Sequence, residues 1–261
     1  MGSPSLVEDI PIARGIRETS EGQMPRPTIP LDELIAYIFG AAHSSLAAEV
    51  GPWLAASTRF RAFAETYRDK IRKKARGVRD DEGRRDFAFE LVIAMRLLAE
   101  RRFALEYESY GVGRRAPDFR VTFRTNLRFN VEVRRLRRAP TSGAPADSAP
   151  LVRAVCDKLG QMPPAMINVL VIGADSPPSA AEGLAPAMLW LQERATSKDE
   201  ALFRQRGFTG VRDFLRHYQR LSGAVWLAGE SVEARASLWR NPQARHALPA
   251  DLARALTGTV P

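Results

Sequence analysis

The stretch Pro117–Arg135, PDFRVTFRTNLRFNVEVRR, decides how the rest of the chain is read. Apolar and polar residues alternate from Asp118 to Arg124. Phe119, Val121 and Phe123 therefore fall on one face of a strand, and Asp118, Arg120, Thr122 and Arg124 on the other. A turn at Thr125-Asn126 leads into a second alternating run, with Leu127, Phe129, Val131 and Val133 on the apolar side and Asn130, Glu132 and Arg134 on the polar side. Strands joined this tightly pair antiparallel, which brings Asp118 and Glu132 onto the polar faces of neighbouring strands. Two carboxylates placed so make a hard-oxygen site suited to Mg2+ or Mn2+, which bind through one or two carboxylates, waters and substrate phosphate. Such an ion polarises a phosphodiester and lowers the pKa of an attacking water.

Upstream of the hairpin, residues 85–101 carry a helical stripe at Phe87, Leu91, Ala94 and Leu98, with Glu90 beside it, and Ala104–Tyr110 reads as a further strand. Asp80-Asp81-Glu82-Gly83 reads as an acidic turn before that helix. Downstream, Pro140–Pro150 is a loop of small residues. Leu151, Val155, Leu159 and Met162 mark a helix over 151–162 that carries Lys158, with Gln161 on the same side as a phosphate or water contact. Ile167–Ile172 is a continuous apolar run, as expected of a central strand buried on both faces. The order is helix, three strands, helix, strand, over residues 85–175.

Pro117-Asp118 followed after a hairpin by Glu132-Val133-Arg134, within that order of elements, resembles the PD-(D/E)XK nuclease superfamily. The resemblance implies an α/β fold, a mixed β-sheet flanked by helices with a restriction-endonuclease-like core. It implies metal-dependent phosphodiester hydrolysis on DNA, with Asp118 and Glu132 as metal ligands, Glu90 of the first helix assisting as a further ligand, and a backbone carbonyl from Val133. Arg134 stands where the family has lysine. Arginine can stabilise developing charge through its donor fork, but it stays protonated and cannot serve as a base. Lys158 could then supply the ammonium from the following helix. On the residues alone, Lys158 reads first as an exposed helix position, and Glu132 also as a carboxylate paired with Arg134 or Arg120 across the hairpin.

Four segments follow: a loose arm over 1–30, a basic helical segment over 31–84 with a helical core-facing stripe at Phe60, Phe63, Tyr67 and Ile71, the core over 85–175, and a C-terminal extension of helices and strands over 176–261 packed on that core. The net charge is +9, yet residues 59–138 hold 23 Lys+Arg against 12 Asp+Glu, a local +11. A localised positive field attracts polyanions. Arg72, Lys73 and Lys74 on the basic helix, and Arg114 and Arg115 just before Pro117, are the candidate nucleic-acid contacts. A catalytically silent DNA-binding protein and a structural or interaction domain are the rival readings.

Other chemistries lack their residues. His43, His217 and His246 show no metal-ligand spacing, no glycine-rich loop opens a helix after a strand, and Gly111-Val112-Gly113 precedes a strand instead. A lone Cys156 allows no intrachain disulfide and reads as a small buried hydrophobe. With no apolar run long enough for a membrane helix and no secretory pattern at the N-terminus, a cytoplasmic location is expected. The sequence leaves the oligomeric state open.

Overall fold

In a computed structural model, which describes residues 28–40, 44–108, 117–136, 150–174 and 183–258, the chain is an α/β protein. N-terminal helices precede a six-stranded mixed sheet with interspersed helices. The helices α1 (Leu31–Ile38), α2 (Ser44–Ala56), α3 (Thr58–Thr66), α4 (Arg68–Gly77) and α5 (Asp81–Ala99) come first. Strands β1 (Phe103–Tyr107), β2 (Phe119–Phe123) and β3 (Leu127–Leu136) follow, then α6 (Pro150–Leu159) and β4 (Ile167–Ala174). Helices α7 (Leu184–Thr196), α8 (Glu200–Gln205) and α9 (Val211–Tyr218) lead to β5 (Gly223–Ala228), β6 (Arg235–Arg240) and α10 (Ala250–Thr257). The strands lie in sequence order: β1, β2 and β3 run as an antiparallel meander, β3, β4 and β5 are parallel, and β6 returns antiparallel. The segment after residue 176 thus adds β5 and β6 to the same sheet.

Strand alternation sorts the core into two layers. Phe119, Val121, Phe129, Val131, Val133, Val169, Val171 and Val225 face α1–α5 and α10. Leu170, Ile172, Ala224 and Trp226 face α6–α9. The second layer of helices covers β3 to β5, whereas Arg120 and Thr122 on the same face of β2 are only half-buried. Hence the polar side of β3 is not solvated: Asn130 donates to Asn168 Oδ1 at 3.0 Å, and Glu132 is 3% exposed.

Several boundaries differ from the sequence expectation, each for a local reason. The basic helix breaks at Tyr67 (φ −106°, ψ 18°) into α3 and α4. The acidic run at 80–83 is the start of α5, not a turn before it: Asp80 accepts from the Gly83 N–H as N-cap, and Asp81 and Glu82 sit at the positive end of the helix dipole. Helix α6 stops at Leu159, so Gln161 lies in the following turn, half-buried.

Two packing details fix α5 against the sheet. A Cβ at Gly173 would come within 2.2 Å of Phe89 Cζ, so the glycine makes room for the helix to approach β4. Arg135, buried on the α5 face, donates to Glu82, to Asp86 at 2.9 Å and to Glu230 at 3.2 Å, tying β3 to the first turns of α5 and to the β5–β6 connection. The outward carbonyls of edge strand β1 are also covered: Arg59 donates to Phe103 O and Lys70 to Tyr107 O. Among the described residues no helix is long and apolar enough to cross a membrane.

Candidate active site

The β2–β3 ladder pairs Phe119 with Val131, and the next two steps of that register set Asp118 against Glu132 and Pro117 against Val133. Proline has no N–H, so it has no donor to offer the Val133 carbonyl. The Val133 N–H, for its part, donates to Asp118 Oδ2 at 2.8 Å. The proline thus ends the ladder, and its neighbour folds a carboxylate back onto the last free N–H. At this point the two acids, the Val133 carbonyl and the edge of the second helical layer meet.

Lys158 reaches the site from α6. Leu151, Val155, Cys156 and Leu159 seat that helix on the sheet, which leaves Lys158 at the border of the buried face, its side chain 15% exposed, donating to Glu132 Oε1. Burial and then repulsion from Asp118 push the Glu132 carboxyl up to about 7, with the Lys158 ammonium pulling against both. Glu132 therefore pairs with neither arginine named from the sequence. Arg120 pairs with Glu106 at 3.9 Å. Arg134, half-buried on the same face as Glu132, makes no ion pair among the described residues, and its Nε is buried with no hydrogen-bond partner.

Glu90 lies across the sheet on α5, buried, with both carboxylate oxygens 2.7 Å from Lys74 Nζ. Burial and then Asp118 push its carboxyl up to about 7, against the pull of Lys74. For Lys74, burial works against the ammonium, but Glu90 and Asp118 outweigh it and raise its pKa above the usual lysine value. The same ammonium lies 3.2 Å from Glu108 Oε1 and 5.5 Å from the centre of the Tyr107 ring. The Tyr107 hydroxyl is buried beside Glu90 with no partner in hydrogen-bonding geometry, and burial followed by the Glu90 charge raises its pKa. Glu108, at φ 43°, turns the chain out of β1 in the left-handed region, an uncommon conformation for a residue with a side chain.

Asp118 therefore sits between two lysine-bound acids, Glu132 on one side and Glu90 on the other. The three do not converge as a cage: among the described residues no group of three or more His, Cys, Asp or Glu is arranged to hold a metal ion. Asp118 and Glu132, flanked by the Val133 carbonyl, are the residues that could hold one.

Of the candidate nucleic-acid contacts, Lys73 projects outward from α4, and Arg72 lies 4.3 Å from the centre of the Tyr37 ring, with Arg68 at 5.6 Å. Lys74 turns inward to Glu90. Arg114 and Arg115 lie outside the described residues, as do His43 and the glycines at 111 and 113. Much of the +11 region is internal wiring: Arg59, Arg61, Lys70 and Arg96 donate to backbone carbonyls, and Arg135 to three carboxylates. His217 bonds within α9 to Asp213, and Cys156 is buried, its thiol pushed up to about 12 by desolvation. Sequence reasoning missed Lys74, Tyr107 and Arg135 as interior polar groups. The signal existed for the last, because Arg135 shares its strand parity with Val131 and Val133. No family model, no curated protein and no solved structure matches this chain.

Proposed function

We propose that the chain is a divalent-metal-dependent phosphodiesterase acting on DNA, with a restriction-endonuclease-like core of the PD-(D/E)XK type over residues 85–175. The observation that carries the proposal is the arrival of the Lys158 ammonium at Glu132, beside Asp118, where the β2–β3 ladder ends. It supplies from α6 the cation that Arg134 alters in the motif. Element order also supports the reading: α5, the meander β1–β3, α6, and β4 parallel to β3 follow the order that the resemblance implies.

The residues present fit one partly hydrated divalent ion. Asp118 keeps one oxygen clear of its bond to the Val133 N–H, Glu132 contributes a second carboxylate, and the Val133 carbonyl a neutral oxygen, leaving other positions to water and phosphate. A divalent ion held there supplies Lewis acidity to the scissile phosphate and to the attacking water. Lys158 stands beside it and, unlike an arginine, can give up a proton as well as neutralise developing charge. Arg134, half-buried on the same strand face, can offer the end of its guanidinium to a phosphate oxygen. Glu90, bound at both oxygens by Lys74, holds that lysine and orients water. The outer face of α4, with Arg72 and Lys73, follows the DNA backbone.

Nicking of supercoiled plasmid with Mg2+ or Mn2+ tests the proposal. Native protein should nick, Asp118→Asn should abolish nicking, and Lys158→Met should lower it by about a hundredfold or more. If Lys158→Met cuts as well as native protein, the role given to α6 is wrong. A second reading, a non-catalytic DNA-binding protein, is favoured by one observation: Glu90, Glu132 and Asp118 each already hold an intramolecular donor. DNA binding without cleavage, by native protein and by Arg134→Lys alike, would select it.

A further inference from the structure

Lys74 is turned inward to Glu90 and Glu108. It lies on α4, whose buried residues Ile71 and Ala75 press the helix against the core. One turn earlier, Lys70 is anchored at 2.9 Å to both Tyr107 O and Glu108 O, so this side of α4 is clamped to the end of β1. The clamp delivers the Lys74 ammonium to a pocket of oxygens: both oxygens of Glu90 at 2.7 Å, Glu108 at 3.2 Å, and the buried Tyr107 hydroxyl beside Glu90. Asp118 is close enough to stabilise its charge. Carboxylates, a phenol oxygen and a neighbouring acid that also serves the Asp118–Glu132 pair are the donor set expected around a second hard cation.

We propose that the Lys74 ammonium is a built-in cation of the centre, filling the position between Glu90 and Asp118, so that the protein takes one divalent ion, on the Asp118–Glu132 side, instead of two. This rests on the metal-centre reading above. Charge supports it. Four carboxylates, Glu90, Glu108, Asp118 and Glu132, set against two ammonium groups, Lys74 and Lys158, leave two negative charges, which one divalent ion brings to zero. A second divalent ion would leave two uncompensated positive charges in a largely buried site. Access matches as well: Lys74 is 32% exposed at its side chain, so the position that it fills would otherwise open to solvent.

The test is Mn2+ stoichiometry at pH 8, read by electron paramagnetic resonance and equilibrium dialysis on full-length protein. Native protein should bind one ion with no spin–spin broadening. Lys74→Ala should bind two, with broadening from a neighbouring pair, and Lys74→Ala combined with Glu90→Gln should return to one. Where Lys74→Ala fails to fold by circular dichroism, Lys74→Gln, which keeps a hydrogen-bond donor to Glu90 but no charge, should also bind two. Two ions in native protein, or one ion with unchanged affinity in the folded Lys74 variants, would overturn the proposal. No ion in native protein would remove the metal-centre reading itself, and this inference with it.

Discussion

Glu132→Gln keeps the shape of the side chain and removes its charge, and the variant should be more stable than native protein at pH 8. Folding raises the Glu132 carboxyl from its ordinary 4.5 to about 7. A carboxyl raised in this way favours the folded state while it is protonated. Between those two values the folded chain holds a proton that the unfolded chain has released, so stability falls as pH rises through about 7. At about 1.4 kcal/mol per pKa unit, the charged side chain costs roughly 3 kcal/mol at pH 8. For a chain of this size that is a gain of roughly 6–12 °C in the melting temperature of the variant. At pH 5, just above the unfolded value, the gap should shrink to about 1 kcal/mol or less. The assay is thermal or urea denaturation in chelator at both values. With Mn2+ at a thousand times Kd the order should reverse, because binding then stabilises native protein by about 4.1 kcal/mol and the variant has lost a ligand. A variant less stable than native by the same amount at both pH values would mean that Glu132 and Lys158 form an ordinary structural ion pair, and the argument for a strained acidic centre would fall.

Three further outcomes follow from the surrounding structure. Arg135→Met leaves Glu82, Asp86 and Glu230 without their shared cation, and should cost about 2–3 kcal/mol in urea denaturation. That is the low end for a broken buried pair, because the acids are partly exposed and rehydrate; no measurable loss would discount the network. Gly173→Ala drives a methyl group into the buried Phe89 ring and should cost about 1–3 kcal/mol, whereas unchanged stability would place α5 farther from β4 than described here. DNA affinity resting on about four phosphate contacts from Arg68, Arg72, Lys73 and Arg76 should fall on the order of a hundredfold between 50 and 200 mM salt. Arg72→Glu with Lys73→Glu should flatten that slope, and an unaltered slope would move the DNA to another face.

Most elements were legible in the sequence because each carries a strong period: the alternation of Phe119, Val121 and Phe123 on β2, the unbroken Ile167–Ile172 run of β4, and the spacing of Leu151, Val155 and Leu159 on α6. Local chemistry set the misread ends. Asp80 caps α5, and the backbone at Tyr67 leaves helical geometry, neither of which alters hydrophobic period. Asp118 and Glu132 came together because register follows from a short turn. Their partners did not follow, since Lys158 and Lys74 are placed by how α6 and α4 pack, and a lysine at the edge of an apolar stripe looks the same whether it turns outward or inward. The same limit applies to the +11 segment, where arginines that cap carbonyls, such as Arg59, are indistinguishable in sequence from those, such as Arg76, that face solvent.

An anomalous difference map from crystals soaked in Mn2+ at pH 8 tests the metal centre most directly. One peak is expected, bounded by the Asp118 and Glu132 carboxylates and the Val133 carbonyl, and it should vanish in Asp118→Asn. No peak at that position, or a peak that survives the substitution, would contradict the assignment.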